Sequence, residues 1–135
     1  MAKRAESMGD YAPLALRLTG AAIFGVHGFL KVFGGAERFG ATIANINLPS
    51  YFLYVGELVE LLGAVLLLLG LLVRVASLLL AIQMAVAIVK FHVLYLHQGL
   101  VGGYELPLSM MGAMLALFLL GSGAWSLDRK FFGWR

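Results

Sequence analysis

The sequence contains no cysteine, and only 13% of its 135 residues are charged. Without cysteine the chain cannot run a thiol–disulfide relay, hold an iron–sulfur cluster through its own thiolates, or attach a c-type haem. Soluble domains carry about 25% charged residues, so roughly half that share is too little to coat a water-facing surface. The chain is also short. Its length leaves no room for a soluble catalytic domain beside a membrane-embedded one.

What is present is apolar: 61% of the residues are hydrophobic and mean hydropathy is +0.93. A membrane-spanning helix takes roughly 20 predominantly apolar residues. Four such runs with short connections nearly fill the length. The spacing predicts spans over residues 12–33, 51–73, 76–96 and 105–120 within a single domain, 1–135. Pro13 suits a first-turn position, and Gly34 and Gly35 close the first span. A polar connector follows with Glu37, Arg38, Asn45, Asn47 and Pro49. Arg74 marks a short turn, residues 97–103 form a glycine-rich loop, and Gly121-Ser122-Gly123 ends the last span. The segment from Met1 to Asp10 lacks the apolar core and cleavage site of a signal peptide, so the first apolar run is expected to be retained.

The second and third spans are apolar on all sides, as suits helices surrounded by lipid. Backbone groups in hydrocarbon must be paired internally. The expected fold is therefore all-α, an integral membrane four-helix bundle. The net charge of +3 and pI near 9.5 come from scattered bases, not a continuous basic face, so they do not indicate a nucleic-acid partner. Lys3, Arg4, Arg74, Arg129, Lys130 and Arg135 share one side of a four-span topology, which predicts cytoplasmic termini. Trp125, Phe131, Phe132 and Trp134 suit an interfacial anchor on that side.

The ionisable residues sort by depth. His27 and Lys31, Glu57 and Glu60, Lys90 and His92, and Glu105 all fall towards the outer leaflet. Only Arg17 and Gln83 break the apolar remainder. His27 and Lys31 are four apart and Glu57 and Glu60 three apart, so each pair shares a helix face. Lys90 follows Gln83 by seven, again on one face. A charge at mid-bilayer costs from about 2.5 to over 10 kcal/mol by different measures. A shared polar pocket relieves that cost, with Lys31 or Lys90 neutralising Glu57 or Glu60. Lys31, His97 and Glu105 lie near span ends, where side chains reach the interface. Glu60 and Lys90 lie deeper, as pocket residues or as a structural ion pair.

Three kinds of pocket fit these residue types. One holds a quinone headgroup, with histidine or lysine donating to its oxygens and a carboxylate exchanging protons. A second holds a metal through His27, His92, Glu57 and Glu60, although no recurrent ligand spacing is present. A third is an ion path continuing inward past Gln83 and Arg17. Gly56 and Gly63, seven apart, give the second span a small face for close helix approach. Met110, Met111 and Met114 read as core filler.

Leu16-Arg17-Leu18 with Gly20, then His27-Gly28-Phe29 with Lys31, resembles the first helix of the DoxX family of small membrane proteins. The resemblance continues through Glu57-Leu58-Val59-Glu60-Leu61-Leu62-Gly63, Leu69-Gly70-Leu71 and Arg74. It extends to Gly103-Tyr104-Glu105-Leu106-Pro107-Leu108, Gly121-Ser122-Gly123 and Ser126-Leu127-Asp128. Arg17, His27, Lys31, Glu60, Arg74, Glu105 and Asp128 match the family pattern. The family is named for a small subunit associated with a terminal quinol oxidase and thiosulfate:quinone oxidoreductase. The resemblance implies a four-helix accessory protein of a respiratory or redox complex, with quinone or quinol as ligand and no covalent cofactor.

The combined expectation is a multi-pass subunit in a bacterial or archaeal inner membrane, non-catalytic on its own and partnered by other subunits of a membrane redox complex. It places quinone near the outer leaflet, at His27, Lys31, Glu57, Glu60, Lys90 and His92. Arg74 and Asp128 are expected to fix helix ends. The alternatives are a docking subunit without ligand and a metal- or ion-handling protein.

Overall fold

The computed structural model describes residues 7–34, 47–49 and 51–133. Lys3, Arg4, Gly35, Glu37, Arg38, Asn45, Trp134 and Arg135 lie outside the described residues. The described residues form helices and connections, with no strand among them. Helix α1 spans Tyr11–Phe33, α2 Tyr51–Leu69, α3 Val73–Val86, α4 Glu105–Leu120 and α5 Leu127–Phe132. Helix α3 continues over Ala87–Tyr95 with wider, π-type turns. Among the described residues, three stretches are long and apolar enough to cross a membrane: Met8–Phe33, Val73–Tyr95 and Leu100–Leu120.

Local chemistry explains the helix limits. Before α1, the Ser7 N–H donates to Asp10 Oδ2 at 2.8 Å, a reciprocal start that satisfies otherwise orphaned donors. After α1, the Gly34 N–H bonds back to the Leu30 carbonyl. The expected turn at Arg74 lies slightly earlier, over residues 70–72. Gly70 (φ +67°) and Leu72 (φ +49°) both take left-handed backbone there. Arg74 itself sits exposed in the first turn of α3. A leucine gives no left-handed signature in sequence, which is why the break is displaced in the reading by composition.

The helices pack in a ring, α1 against α2, α2 against α3, α3 against α4, and α4 back against α1. Phe24, Leu67, Leu80, Met114 and Leu117 form its almost fully buried centre, which bears out Met114 as core filler. Leu58, Leu62, Leu68, Ile82, Leu94 and Leu119 point outward and are about half exposed or more. In water such a surface would drive association; in lipid it is the matching face.

With apolar side chains both inside and out, close backbone approach decides which helices pair. The buried face of α1 runs through Pro13, Arg17, Gly20, Phe24 and Gly28. A Cβ on Gly28 would sit 3.0 Å from the backbone nitrogen of Leu61, so only glycine lets α2 lie this near. On the opposite side of α2, Gly63 receives the Leu80 side chain, as its small face predicts.

One end of the ring is held by two buried charges. The Arg17 guanidinium donates to the carbonyls of Leu67, Leu68, Ser122, Ala124 and Trp125 at 2.9–3.3 Å. It thereby ties α1 to the last turn of α2 and to the segment after α4. Gly121, Gly123 and Trp125 take positive φ and turn those carbonyls inward. Asp128 accepts from the N–H groups of Leu72 and Val73 at 2.7 and 2.9 Å. A carboxylate at the start of α3 also meets the positive end of its dipole. Asp128 therefore fixes a helix end, as expected, whereas Arg17 is fully engaged as a structural clamp. That engagement removes it from any inward ion path.

Candidate functional site

Among the described residues, the opposite end of the ring does not close. Between α1, α2, the π-type extension of α3 and the start of α4 lies a cavity of about 650 Å³. Ligand pockets run from about 300 to 1,000 Å³. Most of its wall is apolar, supplied by residues such as Ile23, Phe24, Phe52, Met84, Phe91 and Met110. Against that wall stands a small set of polar groups.

All six residues of the sequence-derived site, His27, Lys31, Glu57, Glu60, Lys90 and His92, line this one cavity. Their helices bring them there by different routes. His27 and Lys31 share the α1 face bordering α2. Glu57 and Glu60 lie on the inner face of α2 and are only 5% and 2% exposed. In α3, Lys90, Phe91 and His92 are consecutive yet all reach the cavity. A regular helix turns consecutive residues by about 100°. The widened π-type turns here, marked by the Leu96 N–H bonding to the Phe91 carbonyl, accommodate the extra residue in the wall.

The centre of the site is an ion pair. Lys31 Nζ donates to Glu60 Oε1 at 2.5 Å, with the lysine side chain 24% exposed and the carboxylate 3% exposed. Of the lysine–carboxylate pairings open at the sequence level, this is one the fold makes. Gln83 supports it: its Nε2 donates to Glu60 Oε1 at 2.6 Å and to the Gly56 carbonyl at 3.1 Å. His92 Nδ1 lies 2.8 Å from Gln98 Oε1. An amide oxygen only accepts, so Nδ1 donates in this contact.

Among the described residues, three buried acceptors have no protein partner: Glu57 Oε1, Glu60 Oε2 and Gln83 Oε1. Their residues all line the cavity. Leaving a buried polar group unpaired costs about 1–3 kcal/mol. Three in one cavity are an opening for a polar ligand. Lys90 and His27 present donors from more exposed parts of the same wall.

Gln83 belongs to the centre of the site although the sequence reading left it out of the binding set. Its signal was present, a lone amide in an apolar helix one heptad before Lys90. Glu105 and His97 do not line the cavity; both are exposed, and His97 takes a positive φ in the loop before α4. Among the described residues, no three histidine, aspartate or glutamate side chains converge as a metal-binding group.

The DoxX family profile matches residues 12–93, which include α1, α2 and most of α3 with its cavity-facing extension. Over 119 residues the chain is 34% identical to a protein of Bacillus subtilis (strain 168) named "Putative oxidoreductase CatD", covering 88% of this chain and 86% of that one. It is 33% identical over 130 residues to an uncharacterized protein of Haemophilus influenzae (strain ATCC 51907 / DSM 11121 / KW20 / Rd), covering 94% of this chain and 96% of that one. No solved structure matches the chain.

Proposed function

The chain belongs to the DoxX family, and from that premise we propose that it is a small membrane subunit of a redox complex whose cavity holds the headgroup of a lipid-soluble quinone or quinol. The observation that carries this reading is the pairing of an apolar wall with a part-buried Lys31–Glu60–Gln83 centre and, among the described residues, three unpartnered buried acceptors. An apolar ring and tail suit the wall, while ring oxygens suit the polar groups. The oxidoreductase named among its relatives supports the same class.

In this reading the bundle spans the membrane four times with both termini cytoplasmic. Arg17, the turn at residues 70–72 and Asp128 meet at one end, and Arg74, Arg129 and Lys130 follow close by in sequence. Concentrated lysine and arginine identify a cytoplasmic side. That orientation puts the cavity in the outer leaflet, in a bacterial or archaeal inner membrane. A bound quinone would supply two-electron and proton chemistry, and partner subunits would supply and take the electrons. Within this chain, Lys31 holds Glu60 in position, the carboxylates at 57 and 60 exchange protons, and Lys90 and His27 orient the oxygens.

Glu60→Gln keeps the shape and removes the charge that Lys31 neutralises. It is expected to abolish quinone-linked turnover of the assembled complex while leaving assembly intact. Unchanged turnover would remove Glu60 from that role. A subunit that only docks a partner would instead lose complex recovery with the same substitution, with no change in bound quinone.

A further inference from the structure

We propose that the cavity selects the reduced, dihydroxy form of its ligand over the oxidised, dicarbonyl form, through the three acceptors buried in its wall. This inference rests on reading the cavity as a quinone-class site.

On the buried side of the site the amide hydrogens are already assigned. The Gln83 amide has two hydrogens, and both have partners, the Gly56 carbonyl and Glu60 Oε1. Lys31 points a hydrogen at the same carboxylate oxygen. Among the described residues, the buried polar atoms left without a partner there are all acceptors: Glu57 Oε1, Glu60 Oε2 and Gln83 Oε1. The two carboxylates that carry most of them are almost entirely shielded from solvent.

A carbonyl oxygen brought against this part of the wall would meet acceptor with acceptor. Neither its own lone pairs nor those of the protein would gain a hydrogen. A ring hydroxyl in the same place supplies the missing hydrogen, and a bond to a carboxylate is about twice as strong as one between neutral groups. The donors on the wall, Lys31, Lys90 and His27, do not reverse this preference, because a hydroxyl oxygen accepts from them as a carbonyl does. The cost of a mismatch is large where buried polar groups go unpaired. A site built to bond a hydroxyl rejects analogues that lack it far more strongly than an apolar pocket can.

Selective binding of the reduced form has a redox consequence. The midpoint potential of the bound couple lies above that of the free couple. For two electrons, each tenfold ratio of affinities is about 30 mV.

The test uses the purified full chain in mild detergent, with calorimetric titration under anaerobic conditions. Three probes share one ring: a short-tailed quinol, its quinone, and the quinol dimethyl ether, which has no O–H to donate. The expected result is saturable binding of the quinol at least tenfold tighter than both other probes. In Glu57→Gln, shown folded by its melting temperature, the preference should fall below about threefold, because one charged acceptor is lost. The dimethyl ether comparison needs no variant and stands even where that substitution disturbs folding. Quinone binding as tightly as quinol, or ether binding as tightly as quinol, would overturn the proposal while leaving a quinone-class site in place. No saturable binding of any probe would overturn the quinone-class reading itself.

Discussion

Replacing Arg17 by methionine should cost the bundle much of its stability while leaving the cavity residues untouched. The guanidinium donates to five backbone carbonyls: two at the end of α2 and three in the segment after α4. Methionine keeps the apolar stem and removes every donor. The bonds involving Leu67, Ser122 and Ala124 are buried, whereas those involving Leu68 and Trp125 are only partly so. The latter carbonyls can relax towards interfacial water. Each buried acceptor left unpaired costs about 1–3 kcal/mol. Three neighbouring groups relax together, so the sum is not additive, and a total of about 3–5 kcal/mol is expected. Thermal unfolding in one detergent, followed by circular dichroism, should then show a midpoint lower by about 10 °C or more. Lysine at the same position should restore only a minor part, because one ammonium cannot reproduce the planar five-donor fork. A drop under about 3 °C for methionine, or full recovery with lysine, would refute the clamp.

Asp128→Ala should lower stability by about 2 kcal/mol, since two N–H groups at the start of α3 lose their acceptor. Asp128→Asn should cost about half as much, and equal melting points for the two variants would contradict this assignment. Gly28→Val should impair folding more than Gly63→Val. The first places a side chain against the backbone of Leu61 and the second against a movable Leu80 side chain; recovery of monodisperse protein measures the difference. Lys31→Met strands the buried Glu60 carboxylate and should destabilise by about 3–5 kcal/mol. Adding Glu60→Met should restore the melting temperature but not ligand binding, which separates the pair's structural effect from its functional one. Restoration of both would place the ligand elsewhere.

Much of this architecture was legible because helix spans are written locally. Runs of apolar residues, Gly34 and Gly121-Ser122-Gly123 mark where helices begin and end without reference to the rest of the chain. The polar cluster at one end of the bundle was legible for a similar reason: depth along a helix follows from counting residues. Rotation about the helix axis does not. The choice of Lys31 for Glu60, rather than Lys90 or Glu57, rests on how α1 and α2 meet across Gly28. Arg17 was the least legible residue. Its partners lie 50 to 108 positions away in the chain, and backbone carbonyls carry no side-chain identity to betray them. The turn at 70–72 was displaced for want of any polar or proline signal, and Gln83 was underrated because one amide carries no pattern of its own.

The reading of the cavity as a quinone-class site is tested most directly by the quinone content of gently solubilised protein, measured per chain after organic extraction and chromatography. Near-stoichiometric quinone in the native protein, lost in Glu60→Gln with the melting temperature preserved, is the predicted result. Only trace quinone in an intact preparation, or full retention in Glu60→Gln, would contradict it.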